Sequence, residues 1–197
     1  VQINPNQPSA WLAKGNALRG LHALGQAADA FRSGVKLAPA DGQLKVSLAN
    51  TTRELGQLPE AIRLLREAVE EHPEFAEAHR DLAHALLLNG EYREGWAENR
   101  WRWGTGSLQD AKRHQSIPKW TGQPLTGKRV LVWDEQGFGD AIQFVRFVPW
   151  VAEMGAEVVF EAQPQLVRLF ETVNGAGEVI SRGGAMPPVD YQVSLLD

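Results

Sequence analysis

Residues Trp133 to Phe144 read WDEQGFGDAIQF, and the fold of the chain turns on how they are read. An apolar run, Val130-Leu131-Val132-Trp133, stops abruptly. Three polar residues follow it, Asp134, Glu135 and Gln136. Gly137 and Gly139 then lead to Asp140, where a new apolar pattern begins. The continuous run RVLVW suits a strand buried on both faces. Ile142, Val145, Val148 and Ala152 then recur at helical spacing, and Gly155 ends the helix. Pro149 inside that helix predicts a kink or an early break. Asp140 has two roles open to it. One is an N-cap, worth about 0.5–2 kcal/mol, with the glycines making a turn. The other is chemistry, because ligands of open parallel sheets bind beyond the carboxyl ends of the strands. In that case the glycines permit unusual backbone conformations and leave room for a ligand, and the helix N-terminus adds partial positive charge.

Working outward, EVVFEA (157–162), EVISR (178–182) and VDYQVSLL (189–196) read as further strands. Pro164 opens a second helix through Val173. The order β-α-β-α-β-β predicts the start of a doubly wound α/β domain. Roughly 70 residues from Gly127 onward are too few for a whole one. The chain also opens with Val1 rather than Met, so the reading is of a fragment cut at both ends. A dinucleotide site is one option for the loop, with Gly137 and Gly139 opening a GxGxxG pattern and Glu161 as the ribose-binding acid. Against it, Ile142 stands at the third glycine position, and Asp134 and Glu135 are acidic.

The preceding segment, 104–126, is glycine-rich and aperiodic and reads as an ordered linker, with Trp120 packed against something. His114 within it reads as a solvated surface residue rather than a ligand.

Upstream the period changes. Pro5, Pro39 and Pro73 are 34 apart, as are Asn16 and Asn50, Ala27 and Ala61, Phe31 and Leu65, and Gly56 and Gly90. Small residues at Gly15, Ala49 and Ala83 let paired helices approach closely. Each proline closes the second helix of its pair. Val1 to Pro5 reads as the tail of an earlier repeat. The last repeat ends GWAENRWRW, with Gly95 where alanine is usual and Arg102 where a small residue is usual. Trp96, Trp101 and Trp103 there read as a cap that docks the stack onto the next domain, or as an aromatic ligand cage.

Bulk numbers set outer bounds. Of 197 residues, 43% are hydrophobic and 22% charged, as in ordinary soluble domains. There is no cysteine, hence no disulfide scaffold and no Cys-ligated zinc. No metal-spaced cluster stands out. Residues 1–103 carry 12 basic and 13 acidic side chains, and residues 104–197 carry 8 and 11. Neither half offers the clustered cations that nucleic acid needs. No apolar run approaches a membrane span, and no signal-peptide pattern opens the chain, so a cytoplasmic protein is expected.

The period of 34 with helix–turn–helix content resembles the tetratricopeptide repeat (TPR), on Trp11, Gly15, Leu18, Ala27, Phe31 and Pro39 and their later counterparts. The resemblance predicts an α-helical TPR solenoid over 1–103, made of a partial repeat 1–7 and repeats 8–41, 42–75 and 76–103. Its concave face would present Asn16, Arg19, Asn50, Arg53, Arg80 and His84 to a protein or peptide ligand. Asn amides could bond the backbone of an extended peptide, and Arg could pair with acidic groups. Solvated polar residues on an exposed helix face are the other reading.

Residues 127–197, after the linker element PKWTGQPLTGK, resemble the N-terminal half of GT-B glycosyltransferases. The likeness is to the heptosyltransferase-like group, glycosyltransferase family 9, and to bacterial proteins in which TPRs precede such a domain. That resemblance implies a partial Rossmann-like domain. Asp140 becomes the base on an acceptor hydroxyl, with Gln136, Gly137, Phe138 and Gly139 as the acceptor loop. The family's Ser-Leu-Gly-Asp is reduced here to Gly139-Asp140. The resemblance also implies a nucleotide-sugar donor held mostly by a C-terminal half, so this chain alone is expected to bind no cofactor and to be inactive. The likeness to O-GlcNAc transferases, where TPRs precede a GT-B unit, implies a protein or peptide acceptor. The reading from another class is a non-enzymatic TPR interaction module with a structural α/β domain.

Overall fold

A computed structural model describes residue 4 and residues 6–109 and 113–197. The proposed repeat tail Val1–Pro5 lies outside the described residues, Asn4 apart. The chain divides into two compact units, 1–109 and 110–197.

The first unit is a TPR-like helical solenoid. Its helices are α1 (Pro8–Gly20), α2 (Leu24–Leu37), α3 (Gly42–Glu54), α4 (Leu58–Glu71), α5 (Ala76–Leu88) and α6 (Tyr92–Asn99). They pack as consecutive pairs, and the first helices α1, α3 and α5 also touch along the stack. The turn inside each pair repeats atom for atom. Ala23 N–H donates to Leu18 O, Gln57 N–H to Thr52 O and Glu91 N–H to Leu86 O. These are six-residue Schellman closures, which need one residue in the left-handed region. Gly56 and Gly90 supply it at φ 78° and 84°, and His22 does so at φ 57°. Between helices, small residues permit close approach. A Cβ on Gly15 would lie 2.3 Å from the Phe31 ring, and one on Gly34 2.7 Å from Leu44. Phe31, Leu44, Leu65, Leu82 and Leu86 fill the resulting core.

The third pair ends early. After α6, residues Arg100–Gly104 form a 3-10 turn, followed by the single turn α7 (Gly106–Gln109). Gly95 replaces the usual alanine because a Cβ there would meet Leu87 Cγ at 2.8 Å. Arg102 is buried and donates to Asn99 O at 3.2 Å. Trp101 stacks on His79, centroids 4.1 Å apart, while the Arg102 guanidinium lies over Trp103. Trp101 and Trp103 thus each spend a face on a side chain of their own repeat.

The second unit holds a small, wholly parallel sheet. Its strands are β1 (Arg129–Trp133), β2 (Glu157–Ala162), β3 (Glu178–Ser181) and β4 (Tyr191–Ser194), in the order β3-β2-β1-β4. Val130, Val132, Val158, Phe160 and Phe170 form its core, with Trp120 packed against it. The later part of the segment read as a linker belongs to this unit: Lys119 bridges to Gln192, Trp120 N–H donates to Gln192 O, and Lys119 Nζ pairs with Asp197 at 2.6 Å.

Three element boundaries differ from expectation. The helix after β1 is broken into α8 (Phe138–Phe144), a 3-10 turn (Val145–Phe147) and α9 (Val148–Glu153). Pro149 lacks the N–H that would bond the Val145 carbonyl, and its ring displaces that carbonyl, so the chain tightens just before it. The helix expected from Pro164 to Val173 contracts to one turn, α10 (Val167–Phe170), pinned by buried Leu166 and Phe170. β4 begins at Tyr191 because the Asp190 carboxylate accepts from Arg129 N–H at 2.9 Å and holds the chain there. Among the described residues no helix is long and apolar enough to cross a membrane, and no group of three His, Cys, Asp or Glu could hold a metal.

Candidate functional site

Two places gather polar side chains. The first is the face of α1, α3 and α5. Arg19 bonds Glu54 through Nε at 2.9 Å and Nη2 at 2.7 Å, which ties α1 to α3. Asn50 Nδ2 donates to Asp81 Oδ2 at 2.5 Å, which ties α3 to α5. Arg53 Nη2 donates to Asn50 Oδ1 at 3.3 Å, and Arg80 donates to Asp81 Oδ1 at 2.9 and 2.8 Å. Asp81 is buried, so this carboxylate is the hub of the network. His84 is exposed, and its pKa lies below the ordinary value. Partial desolvation is the larger cause, Asp81 opposes it, and Arg80 and Arg53 add to it. Asn16 is exposed. The structure thus brings Asn50, Arg53, Arg80 and His84 together and sets Arg19 on Glu54. The simple ladder of free Asn amides is not what it shows, because the Asn50 amide is already engaged on both sides.

The second place is the carboxyl end of β1 and β2. Gly137, not Asp140, is the N-cap of α8, at φ −77° and ψ 171°, with no side-chain cap bond. Asp140 falls in the first turn, which corrects its reading as a cap. Its Oδ2 would lie 3.7 Å from a Cβ on Gly137. Neither Gly137 nor Gly139 uses positive φ. What the glycines give is space, with nothing within 4 Å of a Cβ on Gly139. Gly137, Phe138 and Gly139 are exposed, while Gln136 and Asp140 are half-buried.

Behind that loop lies a buried charged cluster that sequence reasoning missed. Asp134 is 1% exposed, and its Oδ1 pairs with Arg182 Nη2 at 2.5 Å. Its Oδ2 accepts from Gln163 N–H at 2.9 Å. Its carbonyl accepts from Arg182 Nη2 at 3.0 Å and from Arg113 Nη2. Arg113 Nη1 and His114 Nε2 both reach Glu161 Oε2, at 2.6 and 2.9 Å. Arg113 also lies over the Trp133 ring, 4.9 Å from its centroid. Burial holds the Arg113 pKa below that of a free guanidinium; Glu161 and Asp134 oppose this, and Arg182 adds to it. His114 is therefore a packed partner of Glu161 rather than a solvated surface residue. Glu161 is committed to Arg113 and His114, which removes it as a ribose-binding acid.

Comparison with known proteins fits the first unit. Residues 52–95 match the tetratricopeptide repeat family, so the chain contains TPR repeats. The first TPR of Spaghetti (RPAP3), solved bound to an HSP90 peptide SRMEEVD, is 15% identical with a TM-score of 0.50; the match covers 57% of this chain and 87% of that one. That likeness is one of fold. The TPR2B domain of yeast Sti1, in complex with pHsp70, is 21% identical with a TM-score of 0.49, over 55% of this chain and 88% of that one. Protein FlbA of Caulobacter vibrioides is 30% identical over 155 residues, which is 76% of this chain and 26% of FlbA. This chain thus spans about a quarter of FlbA's length. The matched stretch is longer than the first unit's 109 residues, so the similarity runs into the α/β unit.

Proposed function

We propose that the chain is a protein-interaction module whose first-helix face, the concave face of a TPR stack, binds an extended segment of a partner protein. The observation that carries this reading is the pair Arg19–Glu54 and the cluster of Asn50, Arg53, Asp81 and Arg80, which together place polar contacts on the first helices of three repeats, with His84 exposed beside them. Guanidinium and amide groups there hold donors for the carbonyls and carboxylates of an extended peptide. That the Spaghetti domain is bound to a peptide is consistent with this class of partner. Peptides selected from a displayed library against the whole chain are expected to lose about tenfold or more in affinity on Arg53→Ala. Equal affinity for Arg53→Ala and for Arg80→Ala would remove this face as the binding site.

A specific observation favours a second reading. The strand order β3-β2-β1-β4 matches the opening half of a doubly wound nucleotide-binding fold. The Gln136–Asp140 loop leaves the carboxyl end of β1, where such folds hold ligands. On this reading the unit is the acceptor side of a GT-B glycosyltransferase, and the TPRs present a protein or peptide acceptor. Asp140 takes the proton of the acceptor hydroxyl while that oxygen bonds the anomeric carbon and the nucleotide leaves. Gln136, Gly137, Phe138 and Gly139 border the acceptor, and a C-terminal half holds the nucleotide-sugar. In a full-length protein offered a panel of nucleotide-sugars, Asp140→Ala is expected to lose about a hundredfold in turnover. Unchanged turnover in the folded variant would remove Asp140 as base. No turnover by wild type would leave the interaction module alone.

A further inference from the structure

We infer that Asp134 is the positioning residue of the Gln136–Asp140 loop, and that the charge of Arg182 locks it in place. The inference rests on the second reading above only for its consequence at Asp140; the lock itself stands on geometry. Asp134 is the first residue past β1, and every polar group it offers is used. Its N–H donates to Glu161 O at 3.2 Å, continuing the β1–β2 ladder by one step. Its carboxylate holds Gln163 N–H on one oxygen and Arg182 on the other. Gln163 then turns back: its Nε2 donates to Gln136 O at 3.0 Å. The loop is thereby fastened at residue 134 and again at residue 136, both times through the start of the segment after β2. The exposed residues 137–139 begin directly beyond the second fastening.

The two guanidiniums do different work. Arg182 uses one nitrogen, Nη2, for both the carbonyl and the carboxylate of Asp134, at 3.0 and 2.5 Å. A lysine ammonium can occupy that point. Arg113 uses two nitrogens to span two residues, Nη1 to Glu161 and Nη2 to Asp134 O. A lysine cannot span both. Arg182 is also a third exposed, so replacing it leaves the core packing intact, whereas Asp134 itself is fully buried and its removal would strand charges.

The test is amide hydrogen exchange in the whole chain, comparing wild type, Arg182→Gln and Arg182→Lys. The reporting amides are Gln163, which bonds the Asp134 carboxylate, and Ala141, which donates to Gly137 O. Val130 to Val132 and Val159 report the sheet. We expect about tenfold or faster exchange at Gln163 and Ala141 in Arg182→Gln, with the sheet amides unchanged and Arg182→Lys close to wild type. Unchanged loop amides in Arg182→Gln would overturn the lock. Equal loosening by Gln and Lys would overturn its dependence on charge, and a matching rise in the sheet amides would overturn its locality. In a full-length protein that transfers sugar, Arg182→Gln should lower kcat with KM for the donor unchanged, and Arg182→Lys should restore it. If the exchange result holds but wild type transfers nothing, the lock stands and the transferase reading falls.

Discussion

His22 occupies a place built for glycine. It takes φ 57° at the turn where Gly56 and Gly90 stand 34 and 68 positions later. A side chain in the left-handed region costs roughly 1–2 kcal/mol, part of which glycine returns through its freer unfolded chain. His22→Gly is therefore expected to stabilise the first unit by up to about 1 kcal/mol, read as a rise in urea midpoint at constant slope. A fall would show that His22 makes a compensating contact. His84 gives a pH-dependent counterpart. Its pKa lies below the ordinary histidine value, so the unfolded chain binds a proton that the folded chain resists. Stability from this group is complete above the unfolded pKa of about 6.5 and is lost as pH falls through it toward the folded value. Between about pH 7 and about pH 5, His84→Gln should lose less stability than wild type, and an equal loss would contradict the assignment. Asp134, Glu161 and Arg113 were not legible at this scale. Charged residues 21 to 48 positions apart carry no periodic mark, and only strand register brings them together.

Among the elements, the repeat was legible because burial on one side of each helix, close helix approach and a left-handed turn all recur with the same period. Gly15 shows how tightly the period is enforced. Alanine is the better helix former by about 1 kcal/mol, yet a Cβ at Gly15 would sit 2.3 Å from a fully buried Phe31 ring. Gly15→Ala should destabilise by about 1–3 kcal/mol in thermal or urea unfolding. A neutral outcome would mean that α1 and α2 can slide apart freely. The strands were legible from RVLVW and EVVFEA, whose residues are buried on both faces. The helices between them were overestimated. Val145, Val148 and Ala152 turn inward as expected, but Ile142 is exposed and Ala141 is buried in its stead; Pro149 cuts that helix, and the other keeps only the turn that its buried anchors hold. The position of Asp140 shifted for a related reason: α8 starts two residues before it, at Phe138, so the helix needs no aspartate cap.

For the molecule as a whole, the division into a helical repeat unit and a parallel-sheet unit followed from the change of period near Trp103. The boundary between the units was less legible, because Arg113, Lys119 and Trp120 look like linker yet bond to residues of the sheet unit. The account rests most heavily on the first-helix face as the surface that takes a partner. The direct test is chemical-shift mapping of a selected peptide on the isotope-labelled chain. The account predicts that shifts concentrate at Asn16, Arg19, Asn50, Arg53, Arg80 and His84, and that Arg53→Ala abolishes them. Shifts confined to α2, α4 and α6, or insensitive to Arg53→Ala, would contradict it.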